Sequence, residues 1–413
     1  MKKTALALLS IMIGLCTFAQ EKDISSDTLR KDALNVFMEA SDYVRKEIPY
    51  INYVRDIKDA DVYIISTMQP TGSGGREWTY YLVGQHEFAG MRDTVSFATA
   101  PDETDDGRRQ KEIATLKMGL MRYVATTPLS KYINISFTEP LSETVSTDKW
   151  NSWVFSPSVQ ASLSGEKSYK SKYISARINA DRITEAWKIN MGLYYNYRKA
   201  NYEIEEEIIS SDYNSSFFNT MVVKSISDHW SVGGTVRLRS SSYNNLDFSF
   251  ELFPGIEYDL YPYSESTRRQ MRFLYQAGYK YVNYTDTTIY NKMEEGLWVH
   301  GIEIAYQVVQ KLGSIDVNIG YSNYLHDWSK NNLDFGGYIS LRIAKGLSVN
   351  ISGSYSIIHD QLGLVKGGVT PEEVLLRRRE LETQYSYYTS LGFSYTFGSI
   401  YNNVVNPRFG DNW

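Results

Sequence analysis

Cysteine is nearly missing from this chain. Its single copy among 413 residues, Cys16, falls within the first twenty. With those residues removed, no thiol remains for a disulfide or a thiolate metal site. Leu15 precedes Cys16 where a lipoprotein signal would carry Gly or Ala, so lipid attachment is not expected. Long apolar runs are scarce too. Beyond residues 5–18 nothing approaches the roughly 20 apolar residues that a membrane-spanning helix needs. Excess positive charge is also lacking, with 43 Lys and Arg against 48 Asp and Glu. The formal charge is −5, and −7 once residues 1–20 and their two lysines are gone. No basic patch stands out, so nucleic acid is not expected as a partner.

The first twenty residues themselves read as a secretory signal. Lys2 and Lys3 precede the apolar run, and Ala19 and Gln20 lead into Glu21, Lys22 and Asp23. Tyrosine is what the chain has in plenty, 34 residues of it. Such a content suits the aromatic girdles of a membrane barrel better than a soluble core. Residues 186–197 show why. Trp187, Ile189, Met191, Leu193, Tyr195 and Tyr197 fall on one face of a period-two strand, with Lys188, Asn190, Gly192, Asn196 and Arg198 opposite. Aromatic ends, an apolar face outward and a polar face inward suit a strand with lipid on one side and an aqueous lumen on the other.

The same alternation returns in strands expected at 151–164, 171–183, 186–199, 214–226, 229–241, 246–260, 268–283, 296–310, 313–325, 332–344, 346–358 and 383–397. Twelve is an even number, as in bacterial single-chain barrels, and each run exceeds the roughly 10 residues a tilted strand needs to cross. Short links alternate with longer ones, the longer being 165–170, 200–213, 242–245, 286–295, 325–331 and 359–382. That places short turns in the periplasm and longer loops outside, with both chain ends in the periplasm. The expected fold is therefore mainly β, an antiparallel transmembrane β-barrel of about 12 strands at 141–397. A secreted β-sandwich fits less well, because its strands are usually shorter.

Ahead of the barrel, residues 21–33 read as a flexible start and 34–140 as a small α+β periplasmic domain. Leu34, Val36, Phe37, Ala40, Tyr43 and Val44 recur at helical spacing and predict a helix that stops before Pro49. A strand at 50–54 follows, then an antiparallel run at 61–68, 78–83 and 94–98. A helix opening at Pro101, Asp102 and Glu103 carries Ile113, Leu116, Leu120 and Val124 on one face. Residues 133–137 could add one short strand. Gly72-Ser73-Gly74-Gly75 is a hairpin turn rather than a phosphate loop, since Arg76, Glu77 and Trp78 open a strand where a phosphate loop would carry Gly-Lys-Ser/Thr opening a helix.

The segment Tyr53-Val-Arg-Asp, then Asp59-Ala-Asp-Val-Tyr-Ile-Ile-Ser, a glycine turn, a strand and a long last helix resembles the N-terminal domain of the TolB family and related CsgG-like periplasmic domains. The resemblance implies a docking domain for other envelope proteins and carries over no catalytic residue. The last strand, with Leu391, Phe393, Tyr395 and Phe397 on one face, resembles the terminal signal of outer-membrane barrels, although a tail at 398–413 follows it. Signal style, tyrosine content and domain order together resemble outer-membrane proteins of the Gram-negative Bacteroidota.

Charges of both signs recur at the inward positions: Lys188, Arg198, Arg237, Arg239, Glu251, Glu257, Arg272, Lys280, Glu303, Asp316 and Arg342. Mixed signs suit a network that fills the lumen; rings of one sign would suit a porin-like channel. The catalytic candidates are two His-Asp pairs at strand ends, His326-Asp327 and His359-Asp360, placed where a rim hydrolase would hold a general base against a carboxylate. The same four residues could in principle hold a divalent metal, and as solvated loop residues they would hold none. The loop at 359–382 contains a helical segment at 371–382 that could cap the barrel. The leading expectation is a non-catalytic accessory or scaffold barrel in the outer membrane. It would carry no cofactor and no metal, and its partners would be outer-membrane lipid and periplasmic or outer-membrane proteins. A passive narrow pore and a rim hydrolase are the rivals.

Overall fold

The computed structural model describes residues 32–72, 74–135, 148–204, 207–367 and 380–398. The expected signal at 1–20, nearly all of the start at 21–33, all but Gly398 of the tail at 398–413, and most of the helical segment at 371–382 lie outside the described residues. So does the end of the short strand expected at 133–137.

The first unit is a five-stranded mixed sheet with one long helix. Strand β1 (Asn35–Phe37) pairs in parallel with β2 (Asn52–Tyr53) on one side and β3 (Val62–Pro70) on the other. Antiparallel β4 (Arg76–Gly84) and β5 (Arg92–Thr99) complete the order β2-β1-β3-β4-β5. The helix expected across residues 34–48 is corrected here. Leu34–Phe37 is extended because Val36, wholly buried, sits between two strands that take its backbone hydrogen bonds. Only α1 (Asp42–Glu47) is helical, begun by the Ser41 side chain accepting from the Val44 N–H. Sheet partners outweigh the local spacing.

Helix α2 (Asp105–Val124) starts at Thr104, whose hydroxyl accepts from the Gly107 N–H, so the acidic residues before it precede the cap rather than form it. Its apolar face is the one expected. Ile113, Leu116, Leu120 and Val124 are buried against Val62, Ile64, Tyr80 and Leu82 of the sheet. The glycine cluster is the β3–β4 hairpin turn, with Gly74 at φ +75° and the Thr71 N–H donating to the Gly75 carbonyl.

The second unit is a twelve-stranded antiparallel sheet in sequence order. Its strands are β6 (Trp153–Gly165), β7 (Tyr169–Ile183), β8 (Trp187–Ile204), β9 (Glu207–Ser225), β10 (Trp230–Ser241) and β11 (Leu246–Asp259). They continue with β12 (Arg269–Tyr284), β13 (Glu294–Gln310), β14 (Gly313–Tyr324), β15 (Asp327–Ala344), β16 (Leu347–Ile358) and β17 (Tyr385–Tyr395). Each expected strand is present. Two expected long links are not loops. β8 and β9 pair as far as Ile204 with Glu207, turning residues 200–213 into a projecting hairpin, and β15 begins at Asp327 directly after a short turn.

The ladder keeps one face inward throughout. Asn196 opposes Ser215, Arg237 opposes Glu251, Glu251 opposes Lys280 and Asp334 opposes Ser356. Large apolar side chains stand on the other face, with Leu193 51%, Phe335 46% and Phe393 69% exposed. A soluble domain does not display such a continuous apolar band. One cavity touches residues from β8 through β17, so the sheet curls around an interior. It is not sealed, since β6 and β17 each pair with a single neighbour and not with one another.

Candidate functional site

The interior holds two groups of the expected charges. Arg237, Glu251 and Lys280 are consecutive neighbours across β10, β11 and β12, with Arg237 3.6 Å and Lys280 3.8 Å from the Glu251 carboxylate. Nearer the short-turn end, Arg272 lies 3.5 Å from Glu257 and 2.7 Å from Glu303. The Tyr263 hydroxyl, from the turn after β11, donates to Glu257 at 3.0 Å, and burial pushes its pKa up to about 12. Cross-strand register explains both groups, because opposite charges face one another directly on a shared face.

The other expected members stand apart. Lys188 and Asp316 make no ion pair among the described residues. Arg198 lies beside the Tyr169 phenol, Arg239 faces the cavity, and Arg342 leaves the interior altogether to stack on Phe37 of the first unit, 4.4 Å from its ring centre. Arg342 is near the short turns, where the nearest partner is that unit rather than a lumen carboxylate.

Nor are the His-Asp pairs dyads. Asp327 accepts from the Ser329 hydroxyl and N–H, while His326 stacks on Tyr324. The His359 Nδ1 lies 3.2 Å from the Asn331 Oδ1, whereas Asp360 accepts from the Asn332 amide at 3.2 Å. Hydrogen bonds to amides and serine take the places a His-carboxylate pair would need. Among the described residues no group of three or more His, Cys, Asp or Glu is gathered as a metal site.

Asp360 belongs to a different feature, which its sequence position did not reveal. Residues 359–367 turn inward from the long-loop end. Leu362 packs on Leu297 and Tyr324, the Ile289 N–H donates to the Leu364 carbonyl, and the Asn245 amide donates to the Gly363 carbonyl at 3.0 Å. Beneath this segment lies a chamber of about 1080 Å³. A smaller space of about 240 Å³ shares Lys280, Tyr324 and Asp360 with it and reaches Arg237 and Glu251.

At the opposite end the α+β unit covers the short turns. Its sheet has α2 on one face and the turns on the other. The Lys345 Nζ donates to Asp59 at 2.7 Å, an interaction that raises the lysine pKa, and the Gly346 N–H donates to Asp56 at 3.2 Å. Lys311 donates to Gln85 and lies 4.9 Å from the Tyr63 ring centre. Arg268 lies over the Tyr81 ring, whose hydroxyl is 2.8 Å from that of Thr267. Gly72 approaches the β7–β8 turn so closely that a Cβ there would stand 2.8 Å from the Ile183 carbonyl oxygen. These contacts reach four of the short turns, so the unit straddles the mouth. Sequence reading missed them, although Tyr63 and Tyr81, aromatic on the face that α2 does not cover, were a usable signal.

The arrangement is that of the outer-membrane β-barrel class of fold, with an α+β unit seated at its short-turn end. The model of the family described as a protein of unknown function, DUF481, matches residues 161–358, from inside β6 to the end of β16. No curated relative matches the chain in sequence. Among solved structures, the beta domain of the Bordetella autotransporter BrkA is similar over 59% of this chain and 97% of that one, at 10% identity and a TM-score of 0.25.

Proposed function

We propose that this protein is a non-catalytic accessory barrel of the outer membrane, which anchors the α+β unit on the periplasmic side and holds it in one orientation for envelope assembly or transport machinery. One observation carries the reading: the second face of the small sheet is seated on the turns through Asp59–Lys345, Gln85–Lys311 and Tyr81–Arg268. That contact leaves the far side of α2 for a partner. Lys111, Ala114, Met118 and Arg122 are exposed there, with Met118 71% exposed, Lys111 paired with Glu103 and Arg122 with Asp93. An exposed methionine bordered by ion-paired side chains suits a protein surface with an apolar centre and a polar rim.

The test is extraction of the tagged protein from native outer membrane in mild detergent. Defined partners should accompany it and be lost on Met118→Glu. Reproducible recovery as a lone monomer would remove the reading. The rival of a passive pore is disfavoured by an interior covered at both ends and crossed by ion pairs; steady conductance in planar bilayers would revive it. The rim-hydrolase rival is disfavoured because His326 stacks on Tyr324 and His359 lies against the Asn331 amide, neither bonded to its neighbouring carboxylate; loss of phospholipid or peptide hydrolysis on replacing both with Ala would revive it.

A further inference from the structure

The chamber beneath the inward-turned segment is more than a gap between strands, because its lining carries unused donors, with the buried Asn332 Oδ1 as an acceptor that also lacks a partner among the described residues. Arg239 makes no hydrogen bond or ion pair among the described residues. Lys280 lies 3.8 Å from Glu251, beyond hydrogen-bond reach and shared with Arg237, and Asp360 is a second carboxylate that acts on it across the chamber without a hydrogen bond. The Tyr324 hydroxyl faces the same space without a partner among those residues. Between Arg239 and Val282 in the register stands Ser249, fully buried, whose hydroxyl also lacks a partner.

The carboxylates of the lining are already hydrogen-bonded. Glu380 accepts from the amides of Asn244 at 2.9 Å and Gln361 at 2.7 Å, and Asp360 accepts from Asn332. Burial also pushes the Asp360 pKa up. Among the groups without a hydrogen bond, an arginine, a lysine and a phenol stand on the alternate strands β10, β12 and β14. We propose that the chamber binds a small anionic solute through carboxylate or phosphate oxygens, with Arg239 and Lys280 as the paired cations and Tyr324 as a third donor. Arginine presents a planar fork and lysine a point charge, and both make stronger hydrogen bonds to anionic oxygen than to neutral acceptors.

This site is independent of the partner surface on α2 and is tested without any partner. Mature full-length protein in detergent is titrated calorimetrically with inorganic phosphate, with citrate, and with glucose as an uncharged control. Saturable binding of phosphate or citrate but not of glucose is expected, and the anion that binds identifies the oxygen chemistry. Arg239→Gln and Lys280→Met should each weaken it by about tenfold or more, the equivalent of one lost charged contact. Lys188→Gln, outside the chamber, should leave it unchanged, and circular dichroism should show the strand signal retained in every variant. Absence of saturable binding up to about 10 mM, a range that includes the weak end of specific affinities, would overturn the proposal. So would equal weakening by Lys188→Gln, which would mark a general charge effect, or binding untouched by both Arg239→Gln and Lys280→Met.

Discussion

At the scale of single residues, the inward charges were readable because a strand repeats every two residues, and an error of one position would move a charge to the apolar face. Glu251 and Lys280 are found together for that reason. Asp360 was readable as a polar residue at a strand end but not as a wall of the chamber, since its segment follows no period and is held by contacts from Asn245 and Ile289. Its burial raises the carboxyl pKa, so the docked segment favours the protonated form. The groups facing it are Asn332, which donates to it, Lys280, which favours its charge, and Asp334, which opposes it. A raised native pKa in an acid means that docking strengthens as pH falls from neutral through the native value, and levels off below the ordinary value of 3.8. Hydrogen exchange at the amides of Ile289 and Lys366, which bond across this segment, should therefore be better protected at mildly acidic pH than at pH 7. Asp360→Asn should hold that protection high at both. Greater protection at neutral pH in the unsubstituted protein would contradict this account.

At the scale of elements, the long strands were legible almost residue by residue, whereas the small sheet was not. A strand of fourteen residues repeats its pattern seven times, but β1 has three residues and borrows its conformation from β2 and β3. The projecting β8–β9 hairpin was missed for a related reason. Lys199, Asn201, Glu203 and Ser210 continue the face that is apolar lower down, with Ala200, Tyr202 and Ile209 on the other, so the polar-apolar alternation reverses although pairing continues. The seating of the α+β unit depends on two sequence-distant elements meeting, and no local pattern announces it. Charge reversal probes that contact. Lys345→Glu should place two carboxylates, its own and that of Asp59, against one another and increase protease cleavage in the connector between the units. Combining it with Asp59→Lys should restore resistance toward that of the unaltered protein. If the double variant is cut as readily as the single one, this ion pair does not hold the unit in place.

At the scale of the whole molecule, the open edges of β6 and β17 are incompatible with a lipid surrounding. An unpaired backbone group in hydrocarbon costs several kcal/mol, and a spanning sheet has no water at its edge to offset that. With twelve strands, β6 and β17 run antiparallel. On both strands the inward residues are even-numbered, as Ser156 opposite Asn179 and Ser394 opposite Ser348 show. Matching the strand ends while keeping inward residues opposite inward ones pairs Phe155 with Tyr395, Gln160 with Ser390, and Gly165 with Tyr385. Cys16 is the one cysteine of the sequence, far from both edges in the chain. In membranes, Gln160→Cys with Ser390→Cys should form an intramolecular disulfide that alters monomer migration without reductant, since directly opposed strand residues lie within disulfide reach. Gln160→Cys with Ser394→Cys, four residues out of register, should form little. A disulfide-linked dimer from the first pair would mean that the two edges are satisfied by a second copy, and the interior would then be shared between chains instead of closed within one.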